Sequence, residues 1–229
     1  MPQPLKLLSS MASREVLSEL ATAFAGASGQ PVLAEAAGGL DVAKRVAADE
    51  PVDVVVLASG AIDKLIAQGK LIAGSRADLM RSGIAVAVRA GAAKPDISTE
   101  EALMRTVLAA PSLGYSTGPS GVHLEKTFER WGILAQVQPR IVVPPPGTPV
   151  GSLVASGVVA LGFQQLSELQ ALPGVEVVGP LPPPAQTMTV FSGAIAVTSG
   201  RHEAARALLA YLSSQSASAA KRRFGMEPA

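Results

Sequence analysis

The residues best placed for chemistry fall in one stretch, Tyr115-Ser-Thr-Gly-Pro-Ser-Gly-Val-His123. It follows a short apolar segment, Ser112–Tyr115. It precedes Leu124, Phe128 and Trp131, whose i, i+4, i+7 spacing predicts a helix stopped by Gly132. A strand-to-helix loop of this composition turns backbone N–H groups and the hydroxyls of Ser116, Thr117 and Ser120 toward the helix N-terminus. With Gly121 beside them, and the helix dipole favouring negative charge there, the loop reads as half of a pocket for a small anion. The same hydroxyls also serve as plain helix caps, so both readings stand.

The surrounding elements repeat that arrangement. Leu5–Leu8 is expected as a strand, and Val16, Leu17, Leu20 and Phe24 define one helix face after it, with Ser10 as N-cap and Gly29 as the stop. Pro31–Leu33 is a second strand leading to Ala36-Ala-Gly-Gly39 and a helix over 40–48. Asp53–Leu57 is a continuous apolar run, as in a strand buried on both faces, and Ser59-Gly60 opens the next helix. Three strand–loop–helix units in succession put small or hydroxyl residues at carboxyl ends of strands, where ligands bind in open α/β sheets. Gly38-Gly39 fits an anion nest as well as a turn, and Ser59 fits a cap as well as a donor.

A second series follows. Ile84–Val88 is a strand, Ser98 and Glu101 form a capping box, and Arg140–Val143 is a strand closed by Pro144-Pro-Pro146. A helix over 150–155 leads to a strand over 158–163 that ends in Gln164-Gln165. Because side chains alternate along a strand, only one of these two amides points to a given face; Gln165 is chosen by position, with Gln164 its rival. Thr189–Val197 is extended, and Glu203–Leu212 is an Ala/Leu helix.

Composition narrows the function classes. The 229 residues carry a formal net charge of +1, with aromatics at 3% and one compact basic run, Lys221-Arg-Arg223, which argues against nucleic acid as a partner. Cysteine is absent, so no disulfide, thiol nucleophile or Cys-based metal site is expected. His123 and His202 do not make a metal-ligand spacing, and neither a metal nor another cofactor is expected. No apolar run reaches the ~18 residues of a membrane span. No leader segment precedes the first strand; the protein is expected in the periplasm if a signal peptide was removed and in the cytoplasm otherwise. Nucleophile-elbow, phosphate-loop and zinc-protease motifs do not occur.

The start Leu7-Leu-Ser-Ser-Met11, the Ser116–His123 loop and the strand end Gly162-Phe-Gln-Gln165 together resemble the molybdate-binding-type solute-binding proteins. That resemblance implies an α/β chain of the type II periplasmic binding protein fold: two α/β lobes with a ligand cleft between them. Lobe 1 would comprise 1–83 and 193–229, lobe 2 would comprise 92–188, and 84–91 and 189–192 would be the crossovers. It also implies a monomer that closes about its hinge and, if exported, hands its ligand to an ABC-type permease. Carried across, Ser10, with Ser9 beside it, stands where the family's first oxyanion serine stands. The second serine is replaced by Ala37-Gly38-Gly39, and the family's tyrosine by Gln164-Gln165. These departures turn the reading from molybdate toward a larger, flatter anion such as an organic carboxylate.

The same group is similar to bacterial aconitate isomerases, which gives a second reading of a different class. Moving an allylic proton on a tricarboxylate needs a base, an acid and groups to hold the carboxylates. His123 and Glu168 are the candidates for proton transfer, and Arg14 and Arg89 for carboxylate forks. His123 is expected on the first helical turn, where the dipole keeps an imidazole neutral. Against these stand plain structural roles: a partly buried histidine, a solvated glutamate and two surface arginines.

Overall fold

A computed structural model describes residues 2–145 and 147–229; Met1, and Pro146 of the expected strand closure, lie outside them. In chain order the elements are β1 (Leu5–Ser10), α1 (Arg14–Ser28), β2 (Val32–Ala37), α2 (Gly39–Ala47), β3 (Val54–Ala58), α3 (Ser59–Ala67) and β4 (Ala77–Arg89). Then come α4 (Glu100–Ala109), β5 (Leu113–Tyr115), α5 (Pro119–Arg130), α6 (Leu134–Val137), β6 (Ile141–Val142), α7 (Val150–Ala155), β7 (Leu161–Gln165), α8 (Leu166–Leu169) and β8 (Val175–Pro180). Last are β9 (Met188–Ile195), α9 (His202–Ser213), α10 (Ser218–Arg223) and β10 (Glu227–Pro228). The chain forms two compact units, one ending at Arg81 and resuming at Val190, the other spanning Ser82–Thr189.

In the first unit β1 lies between β2 and β3, parallel to both, with Leu5 opposite Val32 and Leu7 opposite Val54. β9 pairs antiparallel with β3, Val54 facing Ile195. Alternation decides the packing. Leu5, Leu7, Val54 and Val56 pack with residues of α1 and α9, while Leu8, Val55 and Leu57 pack with α2 and α3. The central strands are thus buried on both faces, which is why β3 reads as an unbroken apolar run. Asp53, just before β3, is buried, and its carboxylate accepts from Arg201 Nη2 at 2.6 Å, Ser199 Oγ at 2.7 Å and Lys6 N at 2.8 Å. Arg201 Nη1 also donates to the carbonyls of Gln3 and Pro4.

The second unit is built on β7, parallel to β5 (Tyr115 opposite Phe163) and antiparallel to β4 (Ile84 opposite Gln165). β8 pairs antiparallel with β4, and β6 runs parallel to β5. Its core centres on Phe128, whose ring meets Tyr115, Phe163 and Trp131 at centroid distances of 6.3, 6.2 and 5.8 Å.

The structure corrects several local expectations. Ser10 caps no α-helix: a 3-10 turn over Met11–Ser13 intervenes, α1 begins at Arg14, and Ser10 makes no side-chain cap bond. Ser59 is the first residue of α3, with Ala58 in the N-cap position. The Ser98–Glu101 capping box does not form, because Ser98 Oγ donates to Asp96 at 2.7 Å. The cap passes to Thr99, whose hydroxyl accepts from Ala102 N at 3.1 Å. β4 begins at Ala77, seven residues before the expected Ile84; Arg81, Ser82 and Gly83 interrupt the apolar pattern but not the strand. β7 starts at Leu161, three residues after the expected Val158, since Gly157 is left-handed at φ 80° and Val158 is exposed.

One buried charge in the first unit makes a prediction. Lys221 of α10 is 1% exposed. Burial lowers its pKa, so over the window between its folded and unfolded pKa values the unfolded chain binds more protons. Stability should then rise with pH through the folded pKa and level off at the ordinary lysine value. Lys221→Met should keep or raise stability at neutral pH and abolish that alkaline rise. Urea titrations at pH 7 and pH 10 check both.

Candidate functional site

The candidate residues of the first unit gather at the carboxyl ends of its parallel strands. Ser10 is in register with Ala37, and Ser9 with Val56, so Ser10, Gly38-Gly39 and Ser59 lie at the same end of the sheet. Gly39 approaches Ser10 closely, a Cβ there lying 3.8 Å from Ser10 Cβ. The first bond inside α2 runs from Val42 N to Gly38 O at 2.9 Å. The N–H groups of Gly39, Leu40 and Asp41 precede it and have no intrahelical partner. Ser10 Oγ is buried with no hydrogen-bond partner.

Ser9 points to the opposite face of β1. Its hydroxyl lies 3.4 Å from Ser10 O and 3.5 Å from Glu35 O. It shares a cavity of about 380 Å³ with Arg14, Glu15, Ser18 and Glu35. Arg14 is the first residue of α1 rather than one turn in, and its side chain is 51% exposed. Its Nε and Nη2 donate to Glu15 Oε1 at 2.8 and 2.5 Å, so its fork is occupied by a surface neighbour.

In the second unit the parallel pairing of β5 and β7 brings the Ser116–Gly118 loop to the same sheet end as Gln164 and Gln165. Gly118 is the N-cap of α5 and Pro119 its first residue. Ser116 Oγ accepts weakly from Gly118 N at 3.4 Å, Thr117 is exposed, and Ser120 and Gly121 are buried. The two glutamines are treated differently. Gln164 Oε1 accepts from Gly151 N at 3.2 Å and its Nε2 donates to Glu168 Oε1 at 2.8 Å, tying the starts of α7 and α8 together. Gln165 Nε2 donates to Thr189 Oγ1 at 2.9 Å, while its Oε1 is buried and unpartnered.

Three candidates sit differently from expectation. His123 is the fifth residue of α5, past the first turn in which the dipole acts, so the dipole argument does not reach it. Its Nε2 lies 2.8 Å from Ala185 O; a carbonyl only accepts, so this nitrogen carries the proton and Nδ1 is the basic one. Glu168 is half-buried and accepts from Gln164. Arg89 is in register with Val175 and five residues beyond Ile84, which pairs with Gln165. At about 3.3 Å per residue it stands some ~16 Å away, toward the other end of the sheet. Tyr115, whose phenol pKa is raised by burial and then by Glu125, keeps its proton through neutral pH at the end of β5.

Sequence reasoning missed Ser167. Among the described residues, Ser10 Oγ, Gln165 Oε1 and Ser167 Oγ are the buried side-chain nitrogen and oxygen atoms without a hydrogen-bond partner. All three follow or end parallel strands, β1 and β7, at their carboxyl ends. A hydroxyl two residues beyond Gln165 was the available signal, and it reads in the sequence as a helix-cap serine. Leu40 of α2 and Val122 of α5 are exposed apolar side chains in the first turns at these same strand ends. No cluster of three or more His, Asp or Glu suited to a metal occurs among the described residues.

Comparison with known proteins adds four findings. The model of a family described as bacterial extracellular solute-binding protein matches residues 5–227. An aconitate isomerase from a Pseudomonas species is 42% identical over 232 residues, covering 98% of this chain and 87% of that protein. The periplasmic molybdate-binding protein of Azotobacter vinelandii superposes with a TM-score of 0.81 at 22% identity, over 97% of this chain and 98% of that one. The sulfate-binding protein SubI of Mycobacterium tuberculosis gives 0.78 at 16% identity, over 99% of this chain and 87% of that one.

Proposed function

The chain belongs to the bacterial extracellular solute-binding proteins and has the type II periplasmic binding protein fold, and from that premise we propose that it binds a small organic carboxylate of the aconitate class. One observation carries the reading: among the described residues, the three buried side-chain polar atoms left without partners all stand at carboxyl ends of parallel strands. An unmade buried hydrogen bond costs about 1–3 kcal/mol, and a ligand that supplies the missing partners returns that cost as affinity. Ser10 and the free N–H groups of Gly39–Asp41 are the donors of the first unit. The Ser116–Gly121 loop, Gln165 and Ser167 serve in the second. Leu40 and Val122 favour a ligand with a carbon skeleton over an all-oxygen anion, which has no surface to offer them. If the protein is exported, such binding suits delivery to an ABC-type permease.

The test is a thermal-shift panel of molybdate, sulfate, citrate, cis-aconitate and trans-aconitate. A bound carboxylate at 100 times its Kd should raise Tm by roughly 5–10 °C, with molybdate and sulfate without effect. A shift with the inorganic oxyanions only, or with no anion, overturns the reading.

The 42% identical aconitate isomerase favours a second reading, in which the bound acid is also isomerised. A base would take a proton from the methylene carbon beside a carboxylate. The double bond would move along the three-carbon unit, and a proton would return to the former vinyl carbon, so atoms and charge balance without a cofactor. His123, through Nδ1, and Glu168 are the available groups. Proton NMR of cis-aconitate with the protein separates the readings: a static spectrum means binding alone, a growing trans-aconitate signal means turnover. Undiminished turnover in His123→Ala would remove that residue from the mechanism.

A further inference from the structure

Ser167 and Gln165 stand out because the fold gives no account of them. Gln165 is 3% exposed and Ser167 is 6% exposed, and each keeps one polar atom, Oε1 and Oγ, buried without a partner. They are two residues apart, Gln165 at the N-cap of α8 and Ser167 in its first turn. The neighbouring polar group is accounted for, since Gln164 spends both ends of its amide on Gly151 N and Glu168. So the local structure satisfies the glutamine it needs and leaves the next one, with a serine, unfilled.

We infer that Gln165 and Ser167 form a two-point clamp, within the second unit, for a single carboxylate group of the ligand. This rests on the carboxylate-binding reading above. The chemistry follows from Thr189. Its hydroxyl both accepts and donates, so the bond it makes with Gln165 survives when the amide turns over. Turned, the amide keeps Oε1 on Thr189 and offers Nε2 to one carboxylate oxygen, while Ser167 Oγ–H donates to the other. A carboxylate carries two charged oxygens on one carbon, one for each donor. A ligand-free protein then carries two unmet groups that a bound carboxylate satisfies together.

The test has a sign that a merely structural pair would not show. Ser167→Ala removes an unsatisfied buried group, so its ligand-free protein should melt at the same temperature or higher, whereas Gln165→Met also gives up the bond to Thr189 and should melt slightly lower. Each should also weaken trans-aconitate binding, measured by calorimetry, roughly tenfold or more, the loss expected for a hydrogen bond to a charged group. Because both serve one carboxylate, the double variant should lose less than the product of the single losses. Wild-type affinity in both single variants, or losses that multiply, overturns the clamp while leaving carboxylate binding intact. If wild-type protein itself fails to bind trans-aconitate, citrate or cis-aconitate, the carboxylate reading fails, and the clamp with it.

Discussion

Asp53→Ala should lower the unfolding free energy by about 3–5 kcal/mol, the range for removing one partner of a buried ion pair. The carboxylate is 4% exposed and satisfies three groups from two distant parts of the chain: Lys6 N in β1, and Ser199 Oγ with the Arg201 guanidinium just before α9. Without it, Arg201 keeps its bonds to the Gln3 and Pro4 carbonyls, but its charge loses its counterion. The Lys6 amide and Ser199 hydroxyl lose acceptors at the same moment. Ligand affinity is expected to hold wherever the variant is folded. Asp53 precedes β3 and bonds β1 near its start, at the opposite strand ends from Ser10. Urea denaturation followed by circular dichroism checks the first claim and calorimetry at low temperature the second. A loss under about 1 kcal/mol, the worth of an exposed pair, would show that water replaces the aspartate there.

The contrast between Asp53 and Ser10 shows how much of this molecule was legible in its sequence. Both sit at the edge of apolar strand runs, and periodicity finds the runs. The buried strand β3, the left-handed Gly29 and the buried face Val16–Leu17–Leu20–Phe24 follow from local pattern and backbone sterics alone. Asp53's role does not, because its partners Ser199 and Arg201 are 146 and 148 residues away. The distance of Arg89 from Gln165 was hidden for a related reason. The arginine's place at the end of an apolar strand is local, but which end faces Gln165 depends on the antiparallel register of β4 and β7. His123 drifted past the first helical turn because Pro119 sets the start of α5, four residues earlier. Ser167 was invisible for a third reason. A serine next to a strand end is ordinary, and only the absence of a partner in three dimensions marks it.

Gly121→Ala should be the most damaging single change at the candidate site. A Cβ on Gly121 would stand 1.6 Å from Ser116 O and 2.8 Å from Ser116 C. The obstacle is backbone, so no rotamer can relieve it. At Gly114, by comparison, an added Cβ meets the Val159 methyl at 2.9 Å, the end of a side chain. Helix α5 can accept the methyl only by lifting off the Ser116 carbonyl or by carrying the Ser116–Gly118 loop with it. Lifting the helix also loosens Leu124 and Phe128, which fill the core of the second unit. The expected cost is about 3 kcal/mol or more, the upper end for overpacking, or roughly 6–12 °C in Tm for a chain of this length. The neighbouring Gly118→Ala is the control. Its φ of −76° suits any residue, its added Cβ would lie 3.4 Å from Ser116 Oγ, and its cost should stay under about 1 kcal/mol. The same pair separates stability from binding. If the Ser116–Gly121 loop holds the anion, Gly121→Ala protein kept below its lowered Tm should lose carboxylate affinity with the loop's geometry, and Gly118→Ala should retain most of it. Equal affinity in folded Gly121→Ala would mean that the glycine serves helix packing alone and that the anion is held by other strand ends.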